Sequence, residues 1–152
     1  MEREELIERS DRLVKLVRAE YSFNQERMAL ILGISKKTLV EIEKGRSSLG
    51  WTGCVTFCTL FADSQVIQGA FGGNPNDLIL NLAFQGKEPM YPQTAGSRVW
   101  WQTVKENEAC RIQQNIITQH YRLLTKDGRR IASSFDLEDL LEPFDEITAQ
   151  NT

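Results

Sequence analysis

Two short apolar-periodic stretches, separated only by Gly33-Ile34-Ser35, constrain this chain most. Asn24 is a good N-cap, and Gln25-Glu26 fill a first turn before Met28, Ala29, Ile31 and Leu32 recur at helical spacing. Gly33 can take the positive φ of a tight turn, and Ser35 caps a second helix with Leu39 and Ile42 on its apolar side. Gly45 is placed to end that helix. Small Ala29 lets the two helices cross closely, and Ile34 plugs the core beneath the turn. Such a pair cannot bury its apolar faces alone, so other helices must surround it.

Those helices are legible on both sides. Leu6, Leu13, Leu16 and Val17 recur among charged residues, which predicts a helix over about 3–20. A mostly apolar helix is expected over about 51–62, with Leu60 and Phe61 closing the core. Gly72-Gly73-Asn74-Pro75 reads as a break. Asn76 or Asp77 can cap a short helix reaching Phe84, and residues 86–96 hold two prolines and two glycines and read as a linker.

Beyond the linker the period changes from helix to strand. Val99 to Val104 is aromatic and β-branched, and segments 110–117 and 120–125 roughly alternate. Asp127-Gly128 predicts a two-residue hairpin joining 120–124 to 130–133, with Tyr121, Leu123 and Ile131 on one face. A last helix starts near Asp136 with Leu137, Leu140 and Leu141 on one side, and Pro143 should end or kink it. The expected fold class is α+β: a bundle of four or five helices, then a small antiparallel sheet with a C-terminal helix. The expected domains are 1–72, a short helix and linker over 73–97, and an α+β domain over 98–152.

The net charge of −3 disfavours a polyanionic partner only until its distribution is considered. Residues 27–46 hold Arg27, Lys36, Lys37, Lys44 and Arg46 against Glu41 and Glu43. With Leu39 and Ile42 turned inward, Lys36, Lys37, Val40 and Glu41 lie on the opposite side. A helix with a fixed apolar side and a basic first turn suits the DNA major groove.

The residues Asn24-Gln25, Met28-Ala29, Gly33-Ile34-Ser35, Thr38-Leu39, Ile42-Glu43 and Gly45 resemble the phage-repressor (XRE- or Cro-like) helix-turn-helix family. The resemblance spans about residues 9–65. It implies a lambda-repressor-like bundle that binds double-stranded DNA, usually as a homodimer. By position it implies that Lys36, Lys37 and Glu41 read bases, while Asn24, Gln25, Thr38, Lys44 and Arg46 hold phosphates. It makes Glu43 a structural partner of Arg18. The expected function is a dimeric transcriptional regulator, a repressor in the family's usual mode, located in the cytoplasm. The alternative is a protein-interaction module, such as an antitoxin or mobile-element regulator, whose C-terminal domain binds a protein.

Other chemistries find less support. The acidic start argues against an export signal, and no stretch approaches the roughly 18–20 apolar residues of a membrane span. Cys54, Cys58 and Cys110 form no CxxC pair and read as small apolar residues, so no metal or cofactor is expected. His120 has no evident nucleophile beside it, and Glu138-Asp139 read as a solvated helix face, so no catalytic residue is assigned. Ala95-Gly96, with Ser133 or Ser134, evokes the self-cleaving repressors. No lysine follows Lys126, however, and the remaining chain is too short for that peptidase. For residues 98–152, with Trp100, Trp101 and Tyr121 among strands, dimerisation is favoured. A protein or small-molecule effector site is a second reading, and a further nucleic-acid contact through Arg122, Arg129 and Arg130 a third.

Overall fold

A computed structural model describes residues 1–90 and 99–151. The chain forms two compact units that divide between Tyr91 and Pro92. The Ala95-Gly96 bond lies outside the described residues.

The first unit is helical: α1 (Arg3–Glu20), α2 (Gln25–Leu32), α3 (Lys36–Glu43), α4 (Gly50–Leu60), α5 (Gln65–Phe71) and α6 (Asn76–Phe84). Its core takes Leu6, Val14 and Val17 from α1, Met28 from α2, Leu39 and Ile42 from α3, and Cys54 and Phe57 from α4. Each such side chain removed from water contributes on the order of 1.5–3 kcal/mol. Cys54, Phe57 and Cys58 of α4 share the inward face with Phe61, the residue just after the helix, which places Phe61 in the core. Leu60 falls one residue out of phase and is 54% exposed, contrary to the expectation from sequence.

Helix α5 was not read from the sequence, although its signal is present. The Ser64 hydroxyl accepts from the Ile67 N–H and donates to a Glu20 carboxylate oxygen, tying the start of α5 to the end of α1. Helix α6 is more than a connector, because Ile79 is buried in the same core. Arg3 on α1 also donates to the carbonyls of Leu82 and Ala83.

The second unit is a four-stranded antiparallel sheet in the order β1 (Trp101–Glu106), β2 (Cys110–Asn115), β3 (Tyr121–Thr125), β4 (Arg130–Ser134). Helix α7 (Glu138–Gln150) covers one face, where Leu140 and Phe144 pack on Cys110, Ile112 and Leu123. The α+β class and the four strands follow the sequence pattern. Four details do not.

The hairpin between β3 and β4 has four connecting residues rather than two. Thr125 organises it: its hydroxyl donates to Asp127 and accepts from the Arg129 N–H, while the Gly128 N–H reaches the Thr125 carbonyl. The register shifts beside Leu123, so Ala132 and not Ile131 lies opposite it. One extra residue moves every later side chain to the other face. Ile131 accordingly leaves the core. His120 sits just ahead of β3 rather than within it, against the Trp101 ring.

Pro143 does not end α7, which runs seven residues further. Proline costs a helix one N–H bond, about 3 kcal/mol in an isolated helix. Phe144 and the partly buried Ile147 pack on the sheet core beyond it, and that burial keeps the helix intact. Among the described residues no helix is long and apolar enough to cross a membrane.

Candidate nucleic-acid interface

Local chemistry sets the α2–turn–α3 geometry. The Asn24 side chain accepts from the Arg27 N–H at 2.8 Å, starting α2. Gly33 ends it in the left-handed region at φ 71°, where a β-carbon would be strained. Ser35 then caps α3 by accepting from the Thr38 N–H, and its hydroxyl donates to Thr38 Oγ1 at 2.9 Å. Leu39 and Ile42 are buried, so α3 cannot rotate about its axis.

The pair is locked to α1 by one partly buried ion pair. Arg18 donates to Glu43 through Nε at 2.5 Å and through Nη2 at 3.2 Å, and also reaches the Phe23 carbonyl. The Glu43 side chain is only 5% exposed. Burial pushes its carboxyl up, but hydrogen bonds from Arg18 and Gln25 outweigh that and hold it below the usual carboxylate range.

Lys36 and Lys37 stand exposed on the first turn of α3, with Glu41 half-buried on its second. The first turn also carries the positive end of the helix dipole, so charge and dipole favour an anion there. Lys36 donates to Glu26 of α2 at 2.5 Å, and that bond holds the Glu26 carboxyl below its ordinary range. Both groups are exposed, where ion pairs contribute little, so Lys36 can be redirected cheaply.

Four of the expected phosphate contacts have other partners here, Thr38 among them through Ser35. Gln25 Nε2 donates to Glu43 at 2.8 Å, so this amide is built into the α1–α3 lock. Asn24 Oδ1 serves the cap. Arg46 pairs with Glu41 at 3.0 Å, joining a residue expected at phosphate to one expected at bases. Thr38 is half-buried and Lys44 exposed beside them. Sequence reading missed Glu26 as the neighbour of Lys36. Its signal was proximity: the tight turn returns the first turn of α3 to the first turn of α2.

Replacing Asn24 with alanine should lower the stability of the free protein by about 1 kcal/mol, the usual worth of such a cap. A urea midpoint measured without DNA checks this. No change would mean that Asn24 acts only when something is bound.

The buried thiols are free. Cys54 donates to Ser10 Oγ at 3.2 Å, and Ser10 is itself fully buried beside Cys58. No group of three or more His, Cys, Asp or Glu side chains suited to a metal occurs among the described residues.

Comparison of the chain with protein-family models, curated proteins and solved structures finds no match.

Proposed function

We propose that this chain is a sequence-specific binder of double-stranded DNA that regulates transcription. It acts as a cytoplasmic homodimer and, in its main mode, as a repressor. One observation carries the reading: the first turn of α3 offers Lys36 and Lys37 to solvent while Leu39, Ile42 and the Arg18–Glu43 pair hold the helix from behind. A major groove admits one α-helix, and a lysine ammonium can donate to the O6 and N7 acceptors of guanine. Glu41 can accept from a cytosine amino group once Arg46 turns to a phosphate. The function assigned is binding without catalysis.

One recognition helix spans few base pairs, so a regulator of this design gains specificity by pairing. Selection of bound sequences from a random duplex pool tests this. The expected product is an inverted repeat with half-site centres about 10 bp, or a multiple of that, apart. Failure to enrich any sequence would refute sequence-specific binding. Enrichment of a single unpaired half-site would refute the dimer alone.

A second reading, a protein-interaction module, draws on the apolar surface of the second unit. Ile116, Ile117 and Phe135 are exposed there. Stoichiometric recovery of a protein bound through residues 99–151, with no DNA enriched by selection, would favour that reading.

A further inference from the structure

In the second unit α7 covers one face of the sheet, and the strand register determines which side chains occupy the other. Trp101, Arg111, Gln113, Arg122, Leu124 and Arg130 alternate onto that open face. Arg111 stands opposite Leu124 across β2 and β3, and Arg122 stands opposite Gln113. The two arginines are therefore diagonal neighbours, within reach of each other's guanidinium groups.

Neither is neutralised by a carboxylate among the described residues. Arg122 spends Nε and Nη2 on the side-chain oxygen Oε1 of Gln113, at 3.1 and 2.8 Å, and lies 3.7 Å over the Trp101 ring. Arg111 has its Nε buried with no hydrogen-bond partner among the described residues. Burial lowers the Arg122 pKa, and the nearby charge of Arg111 lowers it further. Among the described residues the acid in register on this face is Glu106, opposite Arg111, and its carboxylate pairs with Lys126 at 3.5 Å. The far side of the unit is of opposite sign: α7 carries Glu138, Asp139, Glu142, Asp145 and Glu146 and no basic residue.

With Glu106 engaged by Lys126, no carboxylate bonds either guanidinium among the described residues, and an oxyanion between the two would offset the cost of holding them together. A second copy of the chain fits poorly. Twofold docking of this face on itself would set arginine against arginine. Docking it on a neighbour's acidic α7 is head-to-tail and would not close. Guanidinium forks match phosphate geometry, and the row Arg111, Arg122 and Arg130 crosses three adjacent strands. We propose that the open sheet face is a second phosphate-binding surface for the backbone of duplex DNA, a reading that rests on the DNA-binding function above. It reads no bases; it adds affinity and salt dependence.

The test uses the full chain and a mixed-sequence 30-bp duplex, with binding followed by fluorescence anisotropy across a potassium chloride series. Each phosphate contact adds about 0.9 to the slope of log affinity against log salt. Arg111→Gln/Arg122→Gln should flatten the slope by about 1.8, and Arg130→Gln alone by about 0.9. Arg130 is exposed at an edge strand, so its replacement leaves the fold intact even if the double variant is destabilised in a thermal melt. Unchanged slopes in Arg130→Gln and in a folded double variant would overturn the proposal. So would unchanged slopes together with loss of self-association in sedimentation, which would assign the face to a second copy. The α3 reading fails separately: it falls if Lys36→Ala/Lys37→Ala keeps sequence preference, whatever the arginine variants do.

Discussion

Alanine at both Lys36 and Lys37 should cut affinity for the selected operator by about 100-fold or more while leaving the thermal melt unchanged. Two well-placed base contacts are worth about 1–3 kcal/mol each, and about 1.4 kcal/mol is tenfold in affinity. Both lysines are exposed, and neither belongs to the core. Lys36 gives up only its surface bond to Glu26, so little folding energy is at stake. Binding to the selected operator and to a scrambled duplex, compared at one salt concentration, separates the outcomes. Equal losses on both would reduce the lysines to phosphate contacts. Undiminished preference for the operator would remove them from the reading surface altogether.

Glu43→Ala should destabilise the fold by about 3 kcal/mol, the lower end of the loss for a fully buried ion pair, because this pair is only partly buried. Arg18 would keep its bond to the Phe23 carbonyl but face the gap left by the carboxylate, and Gln25 would lose its acceptor. That loss is a large fraction of the 5–15 kcal/mol typical of a domain. Arg18→Met combined with Glu43→Ala should recover part of it, because no lone buried charge then remains. Chemical denaturation midpoints of the three proteins provide the measurement. A loss below about 0.5 kcal/mol for Glu43→Ala would show that the pair orders α3 without stabilising it.

The same residue fixes a pH dependence. The folded Glu43 carboxyl titrates below its ordinary range, so folding favours the ionised form. Its contribution is fully present above the unfolded glutamate pKa and is lost as pH falls through the lower folded value. The acid limb of the stability curve should therefore flatten in Glu43→Ala.

Short-range chemistry made much of this legible. Caps, a turn glycine and a 3.6-residue period act over a few residues, so the chain alone specified α1 to α4, α6 and the strand segments, while the Arg18–Glu43 partnership came from the resemblance to the phage-repressor family and the sheet order only from the fold. Where the sequence reading failed, competition between local preference and packing decided the outcome. Pro143 opposes α7 locally, and the burial of Phe144 and Ile147 overrides it. Asp127-Gly128 favours a two-residue turn, and the Thr125 hydroxyl draws two more residues in.

The α2–α3 segment shows the same division. From Asn24 to Arg46 the sequence determined two helices, their caps and the lysines on the outer face, because each depends on spacing within one element. Tertiary structure alone decided that the Gln25 amide joins the Arg18–Glu43 lock, that Glu26 holds Lys36, and that Arg111 and Arg122 share one sheet face. Those are meetings between residues of different elements, and only packing and strand register bring them within reach.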